Sequence, residues 1–469
     1  MFAENNLGRR VEKRDPDMRW QDKYKNKLLS AEQAAKLVNS GSEVLFSMMN
    51  QPRDIAIELA KRYKELKNVT ITSHWVEDYP FLHPVENPEM AKAFSVQDAF
   101  PLRHTRKEVQ ENRIDYRPTV FGLSDGVRQL DENRGRLYHF KDIFFLKLSP
   151  PNDAGYCSFG HQTWFSPSAC KTAKMVVAEI DPGIPWVFGE YINVDEIDYL
   201  VDAPLEEDAV NVDHAPATSL EDWELSQVIG VNTSMLINDG DTIQIGTGTA
   251  SEAVVSFLEG KNDLGVDTEL IFRQLIDLKR QGVITDKRKN VDRGKSVSSS
   301  FRTYTGADSE IPEALRYITN NPGFEFRDIS YICNVPRIAA QNNMVALNNA
   351  LAVDLLGQVV VTHVGSAPIG SPGGSLEYCI GAHYSKGGRA IFALQSTALN
   401  GKVSRIVPRL EPGAVVTIPM FYMDYLVTEH GIANLDCKNV RERAEALISI
   451  AHPDFQDELR QAAKGLFGP

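Results

Sequence analysis

Cysteine is scarce and scattered in this chain of 469 residues. The five cysteines, at 157, 170, 333, 379 and 437, form no C-x-x-C pair. That spacing argues against a structural zinc site or a disulfide framework, and for reduced thiols in a cytoplasmic protein. No metal site is expected. No apolar run is long enough to span a bilayer, so no membrane association is expected either. Basic residues are in deficit, 50 against 63 acidic, which leaves a net charge of −13. Bulk nucleic-acid binding does not suit such a surface. The N-terminal stretch MFAENNLGRRVEKRDPDMRW has no apolar core and carries several acids, so it reads as neither a secretory signal nor a transit peptide. Short-period repeats and low-complexity segments are also missing.

The rhythm that remains is α/β. Ser30-Ala31-Glu32-Gln33 predicts a capping box that opens a helix ending near Gly41. A strand at Val44–Phe46, a helix from Arg53 to Leu66 and a strand at Val69–Thr72 follow. Ile143–Leu148 and Met175–Ile180 are further strand candidates, with the loop SPPNDAGYCSFG (149–160) between them. Such alternation implies largely parallel sheets with helices on their faces. Residues 202–219 are acidic, Pro/Ala-rich and aperiodic, and are expected to divide an N-terminal α/β domain (1–205) from a C-terminal one (216–469). Beyond them come a helix from Leu220, a strand into Gly246 and helices at Ser251–Leu258 and Leu270–Arg280. Strands at Val359–Val361 and Ile391–Ala393 precede two terminal helices punctuated by Pro453.

Two glycine-rich stretches suggest backbone brought close to a ligand. IQIGTGTASEAV (243–254) places Gly246 and Gly248 between a strand and a helix, as a dinucleotide-binding turn does, with Asp267 and Glu269 about 20 residues on. Its third position is Ser251, where that fingerprint asks for Gly or Ala. A plain tight turn and a phosphate cradle fit it about equally, and a nicotinamide site fits less well. The second stretch, GSAPIGSPGGSLEYCIGAHYSKGG (365–388), has seven glycines in 24 residues. Successive N–H groups there can form an oxyanion hole or an anion nest. From Lys386 to Arg409 run five basic residues and no acid, a local anomaly in an acidic chain. Beside a glycine loop this fits a polyanionic small molecule as well as a solvated face. Lys279–Lys295 is a second basic stretch, with seven basic residues against two acids.

Several longer motifs carry a resemblance. WQDKYKNKLLSAEQAAKLV, SPPNDAGYCSFG, SRIVPRLEPGAVVT, YLVTEHGIANL and RERAEALISIAHPDF are together similar to the acetyl-CoA hydrolase/transferase family, across most of the chain after about residue 18. The resemblance implies a CoA-transferase-like pair of α/β domains in a dimer or higher oligomer. It implies acyl-CoA and small carboxylic acids as substrates, with no permanently bound cofactor. Glu269, in GVDTEL, maps onto the nucleophile that would carry CoA as a glutamyl thioester. Asn348, in LNNA, matches an active-site asparagine. Gly373 and Gly374 match a glycine pair that offers an N–H to the thioester oxygen. Gly246 and Gly248 would help to hold CoA instead of NAD, with Lys386, Gly387, Gly388 and Arg405 assigned to its phosphates and pantetheine arm.

A carboxylate is a reasonable nucleophile here, since it is ordinarily ionised at neutral pH without a general base. An acyl-CoA hydrolase on the same scaffold is the alternative. Glu377 is the rival carboxylate. His383 and His430 have no nucleophilic partner in sequence, and Cys379 reads as a core thiol. Three positions depart from the family pattern near the expected acyl pocket. Leu270–Gln274 replaces a small Ser-Asp-Gly-like turn, Ser375 replaces Gln, and His430 replaces Tyr.

Overall fold

The computed structural model describes residues 19–74, 77–83, 87–123, 141–203, 219–302 and 311–468. Two sheets organise them. The first has eight strands, in the spatial order Leu28–Leu29, Tyr199–Asp202, Val176–Ile180, Ile143–Leu148, Glu43–Phe46, Val69–Ser73, Phe94–Asp98 and Asp115–Tyr116. Every neighbouring pair in it is parallel. Its central strands Ile143–Leu148 and Val176–Ile180 are buried at every residue, as a parallel sheet covered on both faces requires.

The second sheet runs Gly265–Val266, Thr242–Ile245, Met344–Asn349, Arg389–Ala393, Tyr425–Thr428 and Gly431–Asn434. Only its last pair is antiparallel. Chain order across its parallel part is second, first, third, fourth, fifth. The winding direction therefore reverses between Thr242–Ile245 and Met344–Asn349. A crevice at the carboxyl ends of two such strands is where open α/β sheets bind ligands.

Local expectations met the structure unevenly. The capping box at Ser30 and Gln33 is formed, but its helix stops at Ala35 and not near Gly41. The helix from Arg53 ends at Lys61 and passes into a 3₁₀ turn at Arg62–Lys64. Ser251–Leu258 is a single turn of α-helix, Thr249–Glu252, followed by 3₁₀ at Ala253–Phe257. The expected helix Leu270–Arg280 starts at Arg273, because Leu270–Ile271 pairs as a strand with Ser300–Phe301. Leu270, Ile271 and Phe272 are all buried, and a short apolar run of this kind carries no period that separates helix from strand. Val359–Val360 belongs to a small three-stranded sheet with Ala352–Asp354 and Ile406–Val407. The terminal helices are Val440–Ser449 and Pro453–Phe467, the second opening on its proline.

The expected boundary at 202–219 falls almost wholly on 204–218, outside the described residues, as does the N-terminal stretch 1–18. One apolar cluster joins Leu45, Phe144, Leu148 and Trp164 to Leu270, Val297, Ile329 and Tyr378. The two halves of the chain thus pack through a shared core. Among the described residues no helix is long and apolar enough to cross a membrane.

Candidate active site

A cleft of about 110 Å³ opens at the reversal point of the second sheet, and Glu269, Asn348, Gly246 and Gly373 all line it. Four residues separated by up to 127 positions are thereby brought together. Glu269 lies just before the short strand Leu270–Ile271. Its backbone carbonyl accepts hydrogen bonds from the N–H groups of Ser299 (3.2 Å) and Ser300 (3.1 Å) and from the Ser298 hydroxyl (3.0 Å). Three donors on one carbonyl fix where the side chain starts.

Asp267, two residues earlier, is not a ribose ligand. It is buried and takes a bidentate pair from Arg337 (3.0 and 2.6 Å) and a hydrogen bond from the Tyr378 hydroxyl (2.9 Å). Those contacts tie the segment to the helices Val335–Ala340 and Ser375–Tyr384. Asp267 therefore anchors the loop and Glu269 is presented by it.

Gly374 caps the helix Ser375–Tyr384, and its N–H donates to Glu269 Oε1 at 2.6 Å. A Cβ at Gly374 would sit 2.4 Å from Cys333 Sγ and 2.9 Å from Glu269 Cδ, so only glycine lets the backbone approach this closely. Gly373 adopts φ +57°, and a Cβ there would meet Glu269 Oε1 at 3.1 Å. The glycine pair thus aims its donor at the glutamate itself in the ligand-free protein.

The expectation that Glu269 is ionised at neutral pH needs correction. Burial pushes its carboxyl up to about 8. The Gly374 N–H lowers it and the Glu377 carboxylate raises it, and burial is the larger effect. Glu377 lies one turn into the same helix and accepts the Gly122 N–H at 2.8 Å, while its other oxygen is buried without a hydrogen bond. Burial pushes Glu377 up to about 7. Two carboxyls therefore share one helix N-terminus. Both carboxyls are raised by burial, and a charge on Glu377 opposes ionisation of Glu269.

Asn348 stands near the carboxyl end of Met344–Asn349 and exchanges two hydrogen bonds with Gln244, 3.1 and 3.2 Å, which fix its amide. Gly246 follows Gln244 by two residues, and a Cβ on it would come within 2.6 Å of Asn348 Oδ1. Gly248 adopts φ +147° beside the Asn349 amide. Ser251, the departure from the dinucleotide fingerprint, donates its hydroxyl to the Gly246 carbonyl at 2.5 Å and takes the Asn349 amide N–H at 2.6 Å. That hydroxyl and the Asn349 side chain close the turn over the strand ends.

The second glycine stretch divides. Ser371, Pro372, Gly373 and Ser375 line the cleft. Gly381 instead serves helix packing, since a Cβ there would lie 2.4 Å from Ile338 Cγ2. Lys386, Gly387 and Gly388 form the tight turn into Arg389–Ala393, with the Lys386 carbonyl accepting the Asn343 N–H at 2.9 Å. In register Arg389 lies opposite Val345, whereas Asn348 lies opposite Phe392. At about 3.3 Å per residue the Lys386 turn sits beyond the amino end of the strand, more than ~10 Å from the cleft. The structure does not bring these three residues to the site.

Arg405 is placed differently. Its N–H bonds the Ser396 carbonyl at 2.8 Å, which puts it at the carboxyl end of Arg389–Ala393, the same end as the cleft. Burial lowers its pKa, and Asp222 and Glu429 act against that from a distance without closing an ion pair. The basic stretch Lys279–Lys295 is bound up in structural contacts. Lys279 meets Asp286 at 2.5 Å, Arg280 meets Glu313 at 3.0 Å and Lys295 meets Glu325 at 2.6 Å. Lys289 is buried, donating to the carbonyls of Val266 and Lys295.

Of the other candidates, Cys379 is buried and donates to the Tyr422 carbonyl, and His383 pairs with Asp424 at 2.9 Å. All five cysteines are free. Sequence reasoning missed Gln244, Arg337, Tyr378, Phe121 and Trp164. Phe121 and Trp164 come from the other half of the chain to wall the cleft, and nothing near them in sequence signals it.

The N- and C-terminal domain models of the acetyl-CoA hydrolase/transferase family match residues 8–210 and 312–463. A 4-hydroxybutyrate coenzyme A transferase of Clostridium kluyveri is 35% identical over 458 residues, covering 96% of this chain and 100% of that one. A butyryl-CoA:acetate CoA-transferase of Anaerostipes caccae is 29% identical, covering 95% and 98%. Among solved structures, RipA from Yersinia pestis superposes with a TM-score of 0.81 at 30% identity, covering 96% of this chain and all of that one. Two domain models, end-to-end relatives and a common three-dimensional frame agree, and the chain belongs to the acetyl-CoA hydrolase/transferase family.

Proposed function

We propose that this protein is an acyl-CoA:carboxylate CoA-transferase that carries CoA on Glu269 between two half-reactions. The observation that carries the reading is the partly buried Glu269 side chain whose Oε1 accepts the Gly374 N–H, in a cleft at the sheet's reversal point. The named activities of the relatives support CoA transfer as the reaction class.

In the first half-reaction an ionised Glu269 oxygen attacks the thioester carbon, and the C–S bond breaks to give an acyl-glutamyl anhydride and CoA thiolate. The thiolate attacks the glutamyl carbonyl. The first acid leaves as a carboxylate, and a glutamyl-CoA thioester remains. The acceptor carboxylate then attacks that thioester, releasing thiolate and forming a second anhydride. Thiolate attack on the acceptor's acyl carbon yields the new acyl-CoA and restores Glu269. Because Gly374 donates to Glu269 Oε1, it is suited to the oxyanion that develops on the glutamyl carbon. Asn348, held by Gln244, faces the same cleft and is assigned to the acyl side. One such donor is typically worth about 3–4 kcal/mol in the transition state.

This sequence of steps predicts parallel double-reciprocal lines when both substrates are varied. It also predicts that ¹⁸O from a labelled acceptor carboxylate appears in Glu269, because the bridging oxygen stays with the enzyme. Intersecting lines with no label in the protein would mean direct transfer. Release of free CoA at one rate with or without acceptor would mean hydrolysis.

Arg405 and Lys386 give an internal contrast for CoA binding. Arg405→Ala should raise KM for acyl-CoA about tenfold with little change in kcat, as loss of uniform binding does. Lys386→Ala, beyond the far end of the strand, should leave both constants within about twofold. Steady-state kinetics at low salt checks the pair, and equal effects would remove Arg405 from the binding site.

A further inference from the structure

The lining of the cleft combines two chemistries. Glu269, Asn348, the glycine backbone and the hydroxyls of Ser371 and Ser375 make up its polar part. An aromatic and aliphatic wall makes up the rest. Phe100 and Phe121 stack with ring centroids 6.4 Å apart, and Phe121 packs on Trp164 at 5.5 Å. Leu270 and Val361 complete this wall. Trp164 holds φ +43°, a left-handed backbone that a bulky side chain rarely adopts. Its backbone N–H donates to the Ser299 carbonyl and its backbone carbonyl accepts the Ile329 N–H, so the far half of the chain fixes this conformation. Such strain persists only where surrounding structure imposes it, and it is concentrated at sites that need one side-chain placement. Leu270 is 3% exposed and directly follows the glutamate. Glu269 is the only charged residue lining the cleft among the described residues.

We propose that this wall selects the acyl group by charge, so that monocarboxylic acids with apolar chains are substrates and dicarboxylic acids are rejected, with Leu270, Phe121 and Trp164 as specificity-determining residues. The inference rests on the CoA-transfer reading. The reacting carboxyl of the acceptor meets Glu269 in a neutral form, as the glutamyl thioester during turnover and as the protonated acid in the free enzyme below about pH 8. A second carboxylate has no such relief. It would lie beside aromatic rings with part of its hydration removed and, among the described residues, no cation lining the cleft to oppose it. An apolar chain of the same length instead gains contact with the rings. Selection by an unpaired buried charge works by exclusion of the wrong acid more than by attraction of the right one.

The test compares butyrate and succinate, acids of equal carbon number, as acceptors from acetyl-CoA with the full-length protein. Butyrate should exceed succinate in kcat/KM by about 100-fold or more. Val361 is only partly buried, so Val361→Lys places a cation at the wall with little risk to folding. It should raise the succinate-to-butyrate ratio at least tenfold. Saturation-transfer NMR with each acid reads binding without turnover, and wild-type protein should saturate butyrate and not succinate. Equal use or equal saturation of the two acids overturns the inference, as does a ratio that Val361→Lys leaves unmoved. Selective saturation by butyrate without transfer to either acid would leave the charge selection standing and remove the transferase reading.

Discussion

Glu269→Gln should abolish CoA transfer, lowering kcat by a factor on the order of 10⁴ or more, as loss of a covalent nucleophile does. The amide keeps the volume of the side chain and can still accept the Gly374 N–H through its oxygen. Acyl-CoA binding should therefore survive, measurable by calorimetry with the inactive protein. Turnover above about one hundredth of wild type in a verified preparation would pass the nucleophile's role to Glu377. The same variant should be the more stable protein at alkaline pH. In the folded chain the Glu269 carboxyl is raised to about 8, and in the unfolded chain it titrates near its ordinary value. A carboxyl raised on folding contributes stability that is fully present below the unfolded pKa and is lost as pH rises through the folded one. Wild-type protein thus carries a destabilising ionisation at pH 8.5 that Gln lacks. The melting temperature of Glu269→Gln should exceed wild type by a few degrees at pH 8.5 and by less at pH 5. No difference at either pH would mean that the carboxyl is better solvated than its surroundings indicate.

The fold class was legible because strands such as Ile143–Leu148 and Val176–Ile180 are near-continuous apolar runs between helical stretches, as a parallel sheet buried on both faces requires. Each is interrupted by one charge, Lys147 and Glu179, and the two pair across the sheet at 3.5 Å. The reversal of winding that creates the cleft was not legible, since pairing of Thr242–Ile245 with Met344–Asn349 spans about a hundred residues with no local signal. The glycine-rich stretch 365–388 was legible from composition, and within it Gly373 and Gly374 could be singled out only through the family resemblance. Gly387 and Gly388 carried the same local signal and turned out to close a turn at the opposite end of a strand. Spacing along the chain cannot tell which end of a strand a loop occupies unless the strand's limits are known. The same limit applied to charge. Arg405 and Lys279–Lys295 look alike as basic residues in sequence, and only the positions of Asp286, Glu313 and Glu325 separate a cation at the site's end of the sheet from cations already paired. Asp267 and Glu269 are two residues apart, yet one is buried and neutralised by Arg337 and the other is partly buried at the cleft with no cation partner among the described residues.

That difference fixes the pH dependence of the reaction. The free enzyme must ionise Glu269 to start, so kcat/KM should fall on the acid side with an apparent pKa close to 8 instead of the usual carboxylate range. Two pH units below the midpoint the rate constant should be roughly one hundredth of its plateau, a large effect for a single group. The groups around the carboxyl explain the direction. The Gly374 N–H favours ionisation, while burial and the Glu377 carboxylate oppose it. Cys333, whose sulfur packs beside Gly374 next to the glutamate, is pushed well above its ordinary value and stays a neutral thiol. Asp267 and Arg337, deeper in the same wall, neutralise one another. Glu377→Gln removes the one like charge and retains an oxygen for the Gly122 N–H. Its acid limb should therefore move to lower pH with the plateau largely preserved, while the limb stays above the ordinary carboxylate range because burial remains. A purely structural role for Glu377 would instead lower the plateau and leave the limb where it was. A wild-type limb near pH 4.5 would show that Glu269 is ionised throughout the neutral range. A more basic carboxylate is also the better nucleophile, so the raised pKa exchanges population of the reactive form at pH 7 for reactivity once it forms.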